Sequence, residues 1–231
     1  MIFRQLMDPG TGALSYLLGD PVAGEGVLVD PVYEQSREYL ELLRYFGLRL
    51  RYLVETRLHD GRLSASPVLR EESGARIAVH GAAGLGCADL RLHHGDLLHF
   101  GEETAEILHV SGISPCAVAL HWRDRLFTGE ALLAGRLGCP SQESGDPASL
   151  CAGIRERLFH LPGEILVFPG WAWDGRRVST LAQEWDTNPD LLAKEACSEM
   201  IAARCREGRM TPADPELRVI NQRCATRNLT P

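Results

Sequence analysis

This sequence of 231 residues lacks an apolar segment of membrane-spanning length, a basic run and a recognisable signal peptide. No apolar segment approaches the ~18–20 residues of a membrane-spanning helix, so we expect no contact with a membrane. No basic run stands out and the net charge is −7, which argues against a nucleic-acid surface. The first residues lack a charged leader followed by an apolar core, so no signal peptide is expected.

The cysteines do not form a recognisable framework. There are seven, an odd number, and they are scattered without a C-x-x-C pair. Such a pattern is more typical of reduced thiols than of disulfides or a structural zinc site. We therefore expect a cytoplasmic protein with free cysteines.

The hydrophobic pattern predicts two groups of strands, each followed by helices. Alternating apolar residues predict a strand over 48–54, and helical spacing over 33–46 predicts a helix that ends at Gly47. Ser66 is expected to cap the next helix, with Pro67 in its first turn. Other expected strands are 1–6, 14–18, 26–29, 76–79, 97–100, 106–110, 117–122, 125–128 and 164–168, and other expected helices are 147–159, 178–185 and 189–206.

This order of elements predicts two sheets packed face to face with helices outside, a four-layer αββα sandwich of the α+β class. The length suits one domain over residues 1–231. Residues from about 208 to 231 are expected to form a C-terminal extension that wraps the surface.

The turn from Thr56 to Leu63 joins a predicted strand to a predicted helix, a common place for a site. Its sequence, Thr-Arg-Leu-His-Asp-Gly-Arg, resembles the Thr-His-x-His-x-Asp-His turn of the metallo-β-lactamase superfamily, in the form found in persulfide dioxygenases and glyoxalase II. Similar matches follow in the same order along nearly the whole chain, at 2–8, 16–20, 27–32, 129–133, 178–180, 188–189 and 221–224. The resemblance implies the αββα fold of that superfamily.

The resemblance also implies a metal site, but this chain departs from the ligand pattern. The two His and one Asp that hold iron in the dioxygenases fall on Arg57, Ile113 and Glu130. The second metal site of glyoxalase II would use the positions of Gly61, Arg62 and Trp171. His59 and Glu130 are the weak metal candidates that remain, so we expect no metal cofactor, and Fe(II) or Zn(II) only in a rebuilt site.

Several roles are open for the residues of this pocket. Arg57 is expected to pair with Glu130 in place of the metal, or Arg57 and Arg62 together bind an anion such as a carboxylate or a sulfur oxyanion. A thiol near these arginines would be reactive, although most free cysteines are apolar fillers. No catalytic residue is assigned, and the candidate pocket consists of Arg57, His59, Arg62, Ile113, Cys116, Glu130, Cys139, Trp171 and Trp173.

Two functional hypotheses follow. The first is a catalytically degenerate, metal-free relative of the dioxygenases that acts in ligand binding, regulation or scaffolding. Its expected partner is a small anionic or sulfur-containing ligand or a protein. The sequence leaves open whether the chain forms a homodimer. The second is an active persulfide dioxygenase or thioester hydrolase with a site rebuilt around His59, Glu130 and Cys139.

Overall fold

The computed structural model describes residues 1–141, 144–207 and 214–224 and contains two six-stranded sheets. The first sheet has the order β1-β2-β3-β4-β5-β6; its first three strands are antiparallel and its last four are parallel. Its strands are β1 (Ile2–Met7), β2 (Leu14–Asp20), β3 (Glu25–Val29), β4 (Arg49–Val54), β5 (Arg76–His80) and β6 (Leu90–Leu92).

The second sheet has the order β14-β13-β10-β9-β8-β7. Strands β7 to β10 form an antiparallel meander, and β13 pairs in parallel with β10. Its strands are β7 (Leu97–Phe100), β8 (Glu103–His109), β9 (Val118–Trp122), β10 (Arg125–Gly129), β13 (Leu166–Pro169) and β14 (Ser179–Thr180), and a separate hairpin consists of β11 (Leu132–Leu133) and β12 (Arg136–Leu137).

Three hydrophobic clusters separate the layers. The central cluster joins Tyr16 and Val29 of the first sheet to Phe100 and Trp122 of the second. The other two clusters lie on the outer faces of the sheets, where helices cover them. The helices are α1 (Ser36–Phe46), α2 (Ser66–Ser73), α3 (Pro147–Arg157), α4 (Leu181–Thr187), α5 (Pro189–Leu192), α6 (Cys197–Arg206) and α7 (Pro215–Arg223). The predicted αββα sandwich is confirmed.

The largest differences from the prediction concern helix boundaries. The helix expected over 189–206 is divided into α5, a 3₁₀ turn and α6, and Lys194 has a left-handed backbone conformation at the break. Ser66 does not cap α2, since Ala65 stands at the N-cap and the Ser66 hydroxyl donates to Glu55 instead. In the predicted C-terminal extension, α7 is a regular helix, while 208–213 and 225–231 lie outside the described residues.

The expectation of reduced thiols is wrong for six of the seven cysteines. The structure pairs Cys87 with Cys224, Cys139 with Cys205, and Cys151 with Cys197. These pairs are distant in sequence, 137, 66 and 46 residues apart, which is why local spacing could not reveal them. Cys116 alone is free, and it is buried.

Within the described ranges, no helix has the length and apolar character needed to cross a membrane.

Candidate functional site

A group of buried charges lies where the carboxyl ends of β3, β4 and β10 approach one another. Strands β3 and β4 are parallel neighbours, so the residues that follow them, Asp30 and Glu55, lie side by side. Glu130 follows β10 in the other sheet. We call these three carboxylates, together with Arg57, His59, Asp60 and Arg62 of the turn after β4, the charge cluster.

His59 is at the centre of the charge cluster and is 2% exposed. Its Nδ1 lies 3.1 Å from Oε1 of Glu130, and its Nε2 lies 3.1 Å from Oδ1 of Asp30. Nη2 of Arg62 lies only 2.7 Å from the same Nε2. The imidazole therefore joins carboxylates of both sheets and also contacts a guanidinium.

Arg57 makes the second link between the sheets. One guanidinium nitrogen binds Asp60, and Nη1 lies 3.4 Å from Oε2 of Glu130. The side chain of Arg57 is 4% exposed, and that of Glu130 is 25% exposed. The predicted Arg57–Glu130 pair is thus confirmed, although the two partners share one contact rather than the bidentate geometry expected for such pairs.

Three members of the charge cluster, Asp30, Glu55 and Asp60, were missed by sequence reasoning. Asp30 has a left-handed backbone, and its two oxygens accept from the backbone N–H and hydroxyl of Thr56 at 2.7 and 2.6 Å. Glu55 Oε1 accepts from the hydroxyls of Ser64 and Ser66. The available signal was a carboxylate placed directly after an apolar strand, as in Val29-Asp30 and Val54-Glu55.

Burial and charge move the pKa values of the cluster in opposite directions. Burial alone would raise the pKa of Glu130 and of Asp30. The charges of Arg57 and His59 outweigh burial at Glu130, so its pKa is lowered. The charges of His59 and Arg62 do the same at Asp30, whose pKa is also lowered. For Glu55, burial prevails over its cationic neighbours and raises the pKa. Burial and Arg62 lower the pKa of His59, but Asp30 and Glu130 more than offset them, so that it is raised.

The donor set does not fit a catalytic metal. Asp30, Glu55 and His59 bring one ligand atom each within 4.8 Å of one another. However, the guanidinium of Arg62 contacts the histidine nitrogen of this group, and Arg offers no lone pair to a metal. Ile113 is an apolar side chain, 1% exposed and packed near the backbone of Glu130 across Gly138. Arg57 and Ile113 therefore offer no ligand atom at two of the three positions that the resemblance assigns to the iron.

Two clefts open beside the charge cluster. The first cleft, with a cavity volume of about 50 Å³, is lined by Thr11, Ala13, Asp60, Gly61, Arg62, Glu130, Gly170 and Trp171. Trp171 forms a wall of this cleft, and its indole Nε1 donates to the Thr11 carbonyl at 2.7 Å. Trp173 packs against Trp171 and beneath Arg136. The centroid of the Trp173 ring lies 3.6 Å from the guanidinium carbon of Arg136.

The second cleft, with a cavity volume of about 140 Å³, is lined by Arg57. Its lining consists of Arg57, Leu58, Asp60, Ala82, Ala83, Ser114, Pro115, Cys116, Ser141, Ser144 and Arg218. The alternative that a pocket cysteine near the arginines is a reactive thiol is wrong for Cys139, because its sulfur is bonded to Cys205. Cys116 remains, with its free thiol in the wall of the second cleft.

Comparisons with known proteins agree with this architecture. No family model matches the sequence. The chain is 33% identical over 204 residues to human mitochondrial persulfide dioxygenase ETHE1. The match covers 87% of this chain and 79% of that protein. The chain belongs to the ETHE1-like group of the metallo-β-lactamase superfamily.

Other members of the superfamily extend the comparison. This ETHE1-like chain is 34% identical over 204 residues to the hydroxyacylglutathione hydrolase of Fuscovulum blasticum, covering 85% of the chain and 75% of that enzyme. The crystal structure of ETHE1 from Myxococcus xanthus superposes with a TM-score of 0.88 at 32% identity, covering 96% of this chain and 100% of that one. The fold is therefore shared over 96% of this chain.

Proposed function

We propose that this ETHE1-like protein is metal-free and catalytically degenerate, and that it binds a small sulfur-containing anion. One observation carries the proposal: Arg62 contacts His59 at 2.7 Å and Arg57 pairs with Glu130, so guanidinium groups take the places that a metal ion needs. The cluster holds the two sheets together through ion pairs and hydrogen bonds. Its role is structural, and ligand binding is assigned to the adjoining cleft.

The charges of the cluster support a structural role for both arginines. Arg57 contacts Asp60 and Glu130, and Arg62 lies 3.7 Å from Asp30 as well as donating to the Pro31 carbonyl. These contacts neutralise buried carboxylates, which would otherwise be costly. They leave little positive charge over for an anion in the first cleft, where Asp60 and Glu130 are also in the wall.

The second cleft is the better candidate for an anion because serine hydroxyls line it. Its wall contains Ser114, Ser141 and Ser144 beside Arg57 and Arg218, and the carboxylate of Asp60 lines it as well. Arg and Ser are the side chains expected around carboxylates and sulfur oxyanions. Two relatives are called persulfide dioxygenase and hydroxyacylglutathione hydrolase, names that point to sulfur compounds as ligands. We assign a low-molecular-weight thiol, persulfide or sulfur oxyanion to the second cleft.

Metal analysis tests the degenerate site. Protein purified without chelator and then incubated with Fe(II) or Zn(II) should hold well below one equivalent of either, and it should not consume oxygen with glutathione persulfide. The matched control is the triple variant Arg57→His, Ile113→His, Glu130→Asp, which restores the ligand types that the resemblance implies. That variant should gain iron. About one equivalent of iron in the unmodified protein, or oxygen consumption dependent on persulfide, would contradict the proposal.

Ligand binding is tested separately by calorimetric titration with thiosulfate and with glutathione. Binding should weaken in the variant Ser141→Ala and Ser144→Ala combined, because both hydroxyls line the second cleft. The variant Thr11→Ala changes the first cleft instead and serves as the control. Absence of binding to both probes would refute the ligand assignment without changing the conclusion about metal.

A second candidate function is an enzyme with a rebuilt metal site. The convergence of Asp30, Glu55 and His59 favours it, since these are ordinary ligands of divalent metals. It requires Arg62 to leave Nε2 of His59 and Asp30 to exchange its bonds to Thr56. The same metal analysis decides between the two functions.

A further inference from the structure

We propose that Cys116 accepts a sulfur atom from a persulfide bound in the second cleft, so that the protein carries sulfane sulfur on its own thiol. The inference deepens the proposed function and rests on it, because it takes the ligand of the second cleft to be a sulfur compound. It concerns a different residue from those that hold metal in the resembling enzymes. Four observations support it.

The first observation is the state of the thiol. All seven cysteines lie in the part of the chain that the structure describes, and Cys116 is the free one. Its side chain is 6% exposed and forms part of the wall of the second cleft. A ligand in that cleft would therefore meet one thiol, held in place and shielded from bulk water.

The second observation is the set of donors around the sulfur. The backbone N–H of Leu58 points to Sγ of Cys116 at 3.4 Å, and Oγ of Ser114 lies 3.5 Å from it. Both groups are able to donate to a thiolate. Thiolates, rather than thiols, are the nucleophiles in sulfur exchange.

The third observation is Arg57. Its side chain lines the second cleft together with Cys116, and it directly precedes Leu58, whose N–H points to Sγ of Cys116. A cation in this wall attracts an anionic persulfide to the side of the cleft that carries the thiol.

The fourth observation is a buried donor without a partner. Nε of Arg57 has no hydrogen-bond acceptor among the residues described, although the side chain is 95% buried, and Arg57 lines the second cleft. Unsatisfied buried donors are rare and call for an explanation. An anionic ligand that enters beside Arg57 supplies the missing acceptor, and the packed cysteine then lies next to it.

The reaction balances without an external oxidant. The Cys116 thiolate attacks the outer sulfur of a persulfide R–S–S–H, and a new S–S bond forms as the old S–S bond breaks. The bond's electron pair leaves with R–S⁻, which takes up the proton that Cys116 released. The products are Cys116–S–SH and the thiol R–SH, so one sulfur atom has moved and no electrons have been gained or lost overall.

Intact-mass and peptide analysis of the full protein tests the transfer. After incubation with glutathione persulfide and removal of the small molecule, the peptide that contains Cys116 should gain one sulfur atom. Cyanide should then remove that atom as thiocyanate and restore the original mass. Cys116→Ser should show neither change. In Arg57→Lys, which keeps a positive charge but lacks Nε, the transfer should slow by roughly tenfold, because an ammonium group cannot present the guanidinium's fork of donors to an anionic ligand.

Controls keep this result separate from folding and from the proposed function. Arg70→Gln removes an exposed arginine that pairs with Asp89, neither of them in the lining of the second cleft described above, and it should transfer sulfur at the unmodified rate. Label on Cys87 or Cys224 would show disulfide exchange and overturn the inference. If thiosulfate and glutathione bind while Cys116 stays unlabelled, the inference fails and the proposed function stands. If neither probe binds and Cys116 is also unlabelled, both fail.

Discussion

Nη2 of Arg62 lies 2.7 Å from Nε2 of His59, closer than any carboxylate oxygen comes to that ring. A guanidinium is always a donor, so this contact is a hydrogen bond when Nε2 carries no proton and Nδ1 donates to Glu130. Burial and Arg62 lower the pKa of His59, but Asp30 and Glu130 outweigh them, so the ring takes up a proton at a higher pH than an ordinary histidine and the contact then becomes repulsion between like charges. The positions of Arg62 and of one proton on His59 are therefore linked.

Replacement of Arg62 should expose the donor group that it covers. Arg62→Met removes one of the two cationic neighbours of the buried Asp30 carboxylate, and we expect the free energy of unfolding to fall by about 3–5 kcal/mol. Added Zn(II) should raise the melting temperature of this variant, because Asp30, Glu55 and His59 lie within 4.8 Å of one another. Thermal denaturation with and without Zn(II) checks both effects. Arg62→Lys is the control and should respond to Zn(II) far less, and an equal response in both variants would refute the explanation.

The raised pKa of Glu55 predicts a pH-dependent gain in stability for Glu55→Gln. A folded-state pKa above the ordinary value of 4.5 means that Glu55 favours folding most below pH 4.5, and that this contribution is lost as the pH rises through the raised value. Glutamine cannot ionise and retains an oxygen for Ser64 and Ser66. The stability difference should therefore grow in favour of the variant above pH 4.5, by at most about 1.4 kcal/mol per pH unit. Urea denaturation from pH 4 to 8 measures it, and a pH-independent difference would show that Glu55 is ionised in both states.

The sheets and the Arg57–Glu130 pair were predictable because each depends on a local pattern or on an ordered set of short motifs. The strand at 97–100 matches its prediction at both ends, and alternation placed β4 to within a residue. The disulfides were not predictable, since Cys87 and Cys224 are brought together by α7, far along the chain. Local spacing carries no information on such a contact.

The cluster also shows where local reasoning about charge fails. Arg57 and Arg62 were expected to leave positive charge in the pocket as one alternative, yet Asp30, Asp60 and Glu130 contact them. Which carboxylates meet which cations depends on the parallel pairing of β3 and β4 and on the approach of the second sheet. Neither appears in the residues of the turn itself.

Trp171 and Gly12 should be energetically coupled. Gly12 has φ +76°, and a Cβ there would lie 2.8 Å from the indole Nε1, which donates to the Thr11 carbonyl. Gly12→Ala should destabilise the protein through both the backbone and this clash. Trp171→Phe should cost about 0.5–1.5 kcal/mol for the lost hydrogen bond. The smaller aromatic ring relieves the clash, so the double variant should be destabilised by less than the sum of the two single variants. Urea denaturation in a double-mutant cycle measures this, and full additivity would contradict the contact.

Helix α7 should hold the turn of the charge cluster in place. The side-chain amide of Asn221 donates to the carbonyls of His59 and Arg62 and accepts from the Ser64 N–H, and the Cys87–Cys224 disulfide fastens the end of the helix. Asn221→Ala leaves these buried backbone groups without partners, and we expect a loss of about 1–3 kcal/mol. Amide hydrogen exchange should become faster over residues 57–64 in this variant, and further faster when the disulfide is also reduced. Asn221→Asp keeps the acceptor for Ser64 but loses both donors. Its exchange rate over this turn should lie between those of the unmodified protein and of Asn221→Ala. Unchanged exchange in that turn would mean that α7 merely covers the surface, and that the charge cluster holds its own geometry.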